Sequence, residues 1–338
     1  MRRTLLLLAT AILTTHAFAA LHLIQPRGIQ SLDTDWRFTQ SDPANAQSPA
    51  FDDAQWQTVT LPHDWSIAGP VREEAPSRAA GGFFPTGIAW YRKTLTLPAL
   101  DPAKRTYIAF DGIMANSDVY CNGELLGHRP YGYVSFNYDL TPHLHSGLNT
   151  IAVRVDDSQQ PASRWYPGAG INRHVRLITT SAVHIAPWGT FVTTPKVSAQ
   201  SATVHVRTTI TNDSAVSANI GLTIDVRTPR EGTLSGSFMT LPKPITLAPG
   251  TTANLEAEAT IKDPERWDLD HPALYRVVAT ILRNYSPIDK EDILDDEVVP
   301  FGIREFHFDP DLGRTESSAL GRRPRHRRAV EVSHSRLG

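Results

Sequence analysis

The chain has 338 residues, a formal charge of −2 at pH 7, 41% hydrophobic residues and 20% charged residues. This is the composition of a soluble globular protein long enough for about two domains, and its near-zero charge gives no case for nucleic-acid binding by the chain as a whole. A lone cysteine, Cys121, excludes an intramolecular disulfide, so hydrophobic cores must hold the fold together.

The first predicted element is a targeting segment. Arg2 and Arg3 precede an apolar run from Leu5 to Leu13, and Ala17-Phe18-Ala19 is a small-x-small cleavage site. Residues 1–19 therefore read as a cleaved signal peptide, with an uncleaved anchor as the alternative; the run is short for a permanent bilayer span. The expectation is an exported bacterial protein, periplasmic or extracellular.

Strands follow. Trp90 to Leu97 alternates apolar and polar residues, the period of a half-buried strand. Thr106–Phe110 is a second candidate. Ser117–Cys121 runs into Asn122-Gly123, a strong hairpin signal, and strand character resumes at Glu124–Gly127. Asn149–Val155 and His174–Ile178 alternate again. A second block carries Val204–Ile210, Ile220–Val226, Thr252–Ile261 and Tyr275–Leu282, with a boundary expected near Ala186-Pro187-Trp188. No segment of helical length keeps a 3.6-residue period. The predicted class is all-β: a jelly-roll sandwich followed by an immunoglobulin-like sandwich.

From Arg314 onward the composition turns arginine-rich, with the cluster Arg322-Arg323-Pro324-Arg325-His326-Arg327-Arg328. Such a tail reads as a nucleic-acid or membrane-surface segment or as a disordered appendage. The expected organisation is a signal peptide at 1–19, a jelly roll at 20–186, an immunoglobulin-like sandwich at 187–304, and a linker with a disordered basic tail at 305–338.

Eight segments, in order, resemble the N-terminal, non-catalytic part of family 2 glycoside hydrolases, the β-galactosidase and β-glucuronidase group. They are Leu61-Pro62-His63-Asp64-Trp65, Gly87–Lys93, Phe110–Ile113, Val119–Gly123, Gly132–Phe136, Ser163–Arg173, Trp267–Tyr275 and Phe301-Gly302-Ile303-Arg304. The resemblance implies a galactose-binding-like jelly roll that supplies one wall of a carbohydrate site, followed by an immunoglobulin-like domain. It implies a β-galactoside or related glycoside as partner in the context of a barrel domain, and it allows for homo-oligomers in the full-length family. The family's two catalytic glutamates lie on a later (β/α)₈ barrel, which needs at least about 200 residues. None of this chain's residues is therefore expected to be catalytic. The run Phe306–Gly313 still resembles the family linker, and the change at Arg314 reads as a shifted reading frame, with an assembly error or a truncated gene as the alternatives.

Within that resemblance the candidate carbohydrate-binding residues are Asp64, Arg164, Trp165 and Tyr166. Aromatic rings stack on the C–H faces of pyranoses, and Arg and Asp form directional bonds to hydroxyls. The competing readings are that Asp64 is a turn residue and that Trp165 and Tyr166 are core aromatics. Gly81-Gly82-Phe83-Phe84-Pro85 lacks the Asn or Asp that related β-galactosidases carry there. The acid runs Asp52-Asp53, Glu73-Glu74, Asp156-Asp157 and Asp295-Asp296-Glu297 read as solvated turns. His143 and His145 lack metal-ligand spacing. No metal and no cofactor is expected.

Overall fold

The computed structural model describes residues 26–160, 162–230, 232–239, 244–284, 292–309 and 314–317. The expected signal peptide and most of the basic tail lie outside these residues. The first ten strands are β1 (Gly28–Ser31), β2 (Trp36–Thr39), β3 (Gln57–Val59), β4 (Ile88–Leu97), β5 (Lys104–Phe110), β6 (Ser117–Cys121), β7 (Glu124–Arg129), β8 (Phe136–Asp139), β9 (Gly147–Asp156) and β10 (Val175–Ser181). They form an antiparallel sandwich of a six-stranded sheet, β3-β2-β4-β9-β6-β7, and a four-stranded sheet, β1-β10-β5-β8. Period-2 alternation sends Ile151, Val153 and Val155 of β9 into the core, where they join Trp36, Phe38, Tyr91, Ile108, Phe110, Val175 and Leu177. Each such side chain contributes about 1.5–3 kcal/mol on burial.

The outer face of the six-stranded sheet is covered too. Trp90 and Ala152 pack against Ala46. Arg92, on the same strand, is 3% exposed; its Nε donates to Asp53 at 2.7 Å and its Nη1 to the carbonyl of Ser48 at 2.9 Å. The hairpin signal is realised at the β6–β7 turn: Asn122 and Gly123 both have positive φ, 51° and 89°, and Cys121 pairs with Glu124.

The second sandwich holds β11 (Val183–Val197), β12 (Ser201–Asn212), β13 (Ala218–Arg227), β14 (Leu234–Met239), β15 (Ile245–Leu247), β16 (Thr251–Lys262), β17 (Tyr275–Arg283) and β18 (Ile293–Phe301). One sheet is β11-β12-β16; the other is β14-β13-β17-β18, with β15 also paired to β13. Val204, Val206 and Ile210 of β12 face Ile220, Leu222, Ile224 and Val226 of β13 and Val277, Ala279 and Ile281 of β17. The motifs around Trp267 and Phe301–Arg304 meet in space. The Trp267 N–H donates to the Ile303 carbonyl at 2.9 Å, and the Arg304 guanidinium lies 4.7 Å from the Trp267 ring centroid. A Cβ on Gly302 would sit 2.8 Å from Trp267 Cγ, which explains the glycine.

Ala182 alone separates β10 from β11. Its N–H donates to the Ala103 carbonyl at 2.9 Å, and its carbonyl accepts the Asp213 N–H at 2.8 Å. Residues 186–188, where the sequence suggests a junction, lie inside β11 at a register shift between Ile185 and Thr190. The two sandwiches are further joined by Arg27, whose Nε and Nη2 donate to Asp295 at 3.1 and 2.5 Å.

β19 (Phe306–Asp309) and β20 (Arg314–Ser317) form an antiparallel pair in which Asp309 pairs with Arg314. One expectation needs correction. The acid runs are not uniformly solvated turns. Glu73 and Glu74 are exposed, but Asp157 is 6% exposed and Asp295-Asp296-Glu297 lies within β18, with Asp295 fully buried. Arg27 offsets the burial of Asp295 and faces Glu297, whereas Asp157 is held by Gln160.

Candidate functional site

The loops after β3, β5, β7 and β9, and the segment leading into β4, gather at one end of the first sandwich. The β9–β10 loop is anchored by Ala169 and Ile171, both fully buried, and by a two-bond bridge between Met114 and Gly170 at 2.9 and 2.7 Å. Gly168 and Gly170 have φ of +98° and +84°. A Cβ on Gly170 would lie 2.9 Å from Trp65 Cδ1 and 3.0 Å from the His63 carbonyl oxygen, so a side chain is excluded there. This pinned backbone sets the direction of the residues before it.

Tyr166 turns back toward the protein. Its hydroxyl donates to Asp64 Oδ1 at 2.6 Å, and its ring lies 4.8 Å from that of Phe84. Asp64 Oδ1 also accepts the Ser66 and Ile67 N–H groups at 3.1 and 3.2 Å. Asp64 is thus the turn residue that sequence reasoning allowed, and it is also a tether for Tyr166. Among the described residues nothing donates to its Oδ2. Trp165 and Arg164 point the other way. Trp165 is 63% exposed, which removes the reading of it as a core aromatic, and Arg164 is exposed. Tyr166 is half-buried and belongs to neither extreme.

Several neighbours were not legible as site residues. Phe84 comes from the Gly81–Pro85 segment, which supplies a ring where an amide or carboxylate was missing. That segment is locked in place: Ser66 Oγ donates to the Pro85 carbonyl at 2.5 Å and Ser77 Oγ to the Phe84 carbonyl at 2.8 Å. Tyr133 donates to the Pro167 carbonyl at 3.0 Å and stacks edge-on with Tyr131. Asp157, at the end of β9, accepts from Gln160 Nε2 at 2.8 Å. Burial pushes its carboxyl up to about 7; the Gln160 bond opposes this, and the negative charges of Asp64 and Asp156 add to it. Burial, followed by the bond to Asp64, holds the Tyr166 phenol well above its usual range. His63 Nδ1 lies 2.9 Å from the Tyr91 hydroxyl, and burial lowers the His63 pKa. His143 and His145 part company: His143 Nδ1 pairs with Glu124 at 2.6 Å, and His145 Nδ1 meets its neighbour's carbonyl at Ser146.

The arrangement presents an exposed indole, an exposed guanidinium and a fixed Tyr–Asp pair on one rim. Such groups can stack on and hydrogen-bond a hydroxyl-rich ring. Of the nearby carboxyls, Asp64 accepts three donors on Oδ1 alone and Asp157 accepts from Gln160.

Comparison with known proteins decides the lineage. A profile described as "Glycosyl hydrolases family 2, sugar binding domain" matches residues 29–181, and one described as "Glycosyl hydrolases family 2" matches residues 183–304. The chain belongs to glycosyl hydrolase family 2. It is 40% identical over 299 residues to "Beta-galactosidase BoGH2A" of Bacteroides ovatus, covering 87% of this chain and 33% of that protein. It is 30% identical over 309 residues to a "Beta-glucuronidase" of Formosa agariphila, covering 85% of this chain and 30% of that protein. Among solved structures, a family 2 member from Bacteroides cellulosilyticus superposes with a TM-score of 0.77 at 32% identity, covering 86% of this chain and 37% of that one. A "beta-glucuronidase from glycoside hydrolase family 2" gives a TM-score of 0.75 at 29% identity, covering 84% and 31%. The chain thus spans about one third of the length of the curated relatives it matches.

Proposed function

We propose that this chain is the non-catalytic, N-terminal part of an exported, β-galactosidase-like family 2 glycoside hydrolase. Its jelly roll supplies a wall of the carbohydrate site through Asp64, Arg164, Trp165 and Tyr166. The observation that carries this reading is the order of the two matched domains, residues 29–181 then 183–304, against only a third of the relatives' length. Retaining or inverting hydrolysis needs two carboxyl groups flanking the scissile bond, and the relatives hold twice as much chain again in which such groups can lie. A galactoside is favoured over a glucuronide by the higher identity to the Bacteroides ovatus protein, 40% against 30%. In this reading Trp165 stacks on a pyranose face, Arg164 bonds its hydroxyls, and Asp64 acts by positioning Tyr166. The signal peptide at residues 1–19 directs the protein to the periplasm or beyond.

The test is a chimera. Residues 20–309 replace the matching N-terminal third of the Bacteroides ovatus β-galactosidase, and chromogenic galactosides and glucuronides are assayed against the chimera and against residues 20–338 alone. The expected result is galactosidase activity in the chimera only, with KM raised by Trp165→Ala and Arg164→Ala. Turnover by residues 20–338 alone that disappears on mutating one of its own acidic residues would overturn the reading. A monosaccharide dissociation constant below about 100 μM for that chain at the Trp165 rim would instead make it a stand-alone carbohydrate-binding module. The exposed Trp165, Tyr131 and Val134 also suit a third reading, a sandwich that docks a separately encoded barrel.

A further inference from the structure

Between the two sandwiches, away from the Trp165 loops, lies a cavity of about 440 Å³. This is within the range of roughly 300–1,000 Å³ typical of small-ligand sites. The outer face of the four-stranded sheet forms one wall through Ile29, Tyr107, Asn137 and Arg176; β11 and β18 form the other through Trp188, Asp296 and Glu297. We propose that this cleft is a second binding site, for a neutral pyranose.

Three observations point there. The first is Asp296: the residue is 6% exposed, it lines the cavity, and its Oδ1 has no hydrogen-bond partner among the described residues. Its carboxylate adds negative charge to the lining and keeps acceptor capacity for a donor that enters the cavity. The second is Trp188. It sits at the register shift of β11 with φ of +53°, and it is 60% exposed at the cavity edge. Bulges re-aim side chains near sites, and a non-glycine residue is held at positive φ only where its surroundings fix it. Here the result is an indole face turned to the opening rather than to the core.

The third observation is the charge pattern. Both arginines in the lining are already matched. Arg176 makes a two-pronged pair with Asp111 at 2.7 and 2.8 Å, and Arg27 is bound by Asp295 and faces Glu297 at 3.6 Å. Glu297 accepts the Thr190 N–H at 3.1 Å, and the Tyr107 hydroxyl lies 3.1 Å from His184 Nε2. Among the described lining residues no arginine is left unmatched to attract a ligand carboxylate, and Asp296 and Glu297 repel one. Fixed donors and acceptors beside Ile29, Ile178, Pro187 and Val298 suit a ring with apolar C–H faces and a rim of hydroxyls. The cleft therefore selects neutral sugars over uronic acids.

The test is titration of the chain, residues 20–338, with methyl β-galactoside, methyl β-glucoside and glucuronate, read by calorimetry and by saturation-transfer NMR. The expected dissociation constants for the methyl glycosides are about 1–10 mM, with glucuronate at least about tenfold weaker. Trp188→Ala and Asp296→Asn each weaken binding by about tenfold or more, whereas Leu269→Ala, at an exposed position outside the cleft lining, leaves it within about twofold. Trp188 is exposed, so Trp188→Ala remains decisive if Asp296→Asn perturbs folding. No saturation by about 100 mM, tighter binding of glucuronate, or binding lost in Trp165→Ala but kept in Trp188→Ala would each overturn the proposal. The last of these results would leave the Trp165 rim as the sugar site.

Discussion

The guanidinium of Arg27 closes on the carboxylate of Asp295, a residue 268 positions further along the chain, with bonds of 3.1 and 2.5 Å. Arg27 lies just before β1 of the first sandwich and Asp295 is on β18 of the second, so one buried pair ties the two domains. The same arginine donates to the Ile185 carbonyl at 2.7 Å, and Asp295 accepts the Ile185 N–H at 2.8 Å. Arg27, Asp295 and the start of β11 thus form one closed network. Burial opposes the charge on Arg27, but the bond to Asp295 and the nearby acids outweigh it and raise its pKa.

Breaking that pair from either side strands a buried charge. Arg27→Ala or Asp295→Ala should cost about 3–5 kcal/mol. Replacing both with apolar residues of similar volume should cost far less. Urea unfolding of the two single variants and the double variant checks this. Additive losses would show that the two residues do not act as a pair.

Asp157 sets a pH dependence. Its folded pKa of about 7 stands above its ordinary value of 3.8, so the native state holds a proton that the unfolded chain has released. The stabilising contribution is full below about pH 4 and is lost as pH rises through 7. Asp157→Asn should therefore raise the melting temperature at pH 8 and leave it nearly unchanged at pH 4. An equal effect at both pH values would refute the assignment. Asp296, raised to about 6 chiefly by burial, acts in the same direction over a narrower window.

Tyr166 and Trp165, adjacent in sequence, should behave oppositely. Tyr166→Phe deletes a 2.6 Å bond to a carboxylate and should cost about 1.5–3 kcal/mol. Trp165→Ala removes a ring that is 63% exposed and should change stability by less than about 0.5 kcal/mol. Thermal melts of the two variants, with the KM of the chimera described above, separate a positioning residue from a ligand-facing one.

Gly170→Ala tests the loop anchor. The added methyl would crowd Trp65 and the His63 carbonyl at a φ of +84°. Overpacking at a position that also requires positive φ should cost more than about 2 kcal/mol. Gly147→Ala, at φ +97° with open space around it, should cost about 1 kcal/mol. Equal losses would mean that backbone conformation alone, not the close approach, fixes residue 170.

Much of this architecture could be read from local pattern. The alternation at Trp90–Leu97, Asn149–Val155 and Val204–Ile210 marks β4, β9 and β12, and Asn122-Gly123 marks the β6–β7 turn. What escaped depended on partners distant in sequence. Asp295-Asp296-Glu297 reads as a solvated turn because nothing nearby shows that Arg27 will cover it. Asp157 looks like an ordinary turn acid because its burial comes from loops of other hairpins. Asp64 and Tyr166 could be nominated, but their mutual bond spans 102 residues and emerges only from the fold. Trp165 and Trp65 are the same residue type in similar turn-rich contexts, yet one is 63% and the other 4% exposed. Only the backbone path through Gly168 and Gly170 decides between them.

The joint at Ala182 has a mechanical consequence. Its amide is tied to Ala103 of the first sandwich and its carbonyl to Asp213 of the second. Swinging one sandwich against the other would have to break a hydrogen bond on each side of a one-residue connection. The pair should therefore tumble in solution as a single bracket, with one rotational correlation time. A bracket of that stiffness holds the Trp165 rim at a constant height above whatever the second sandwich is mounted on.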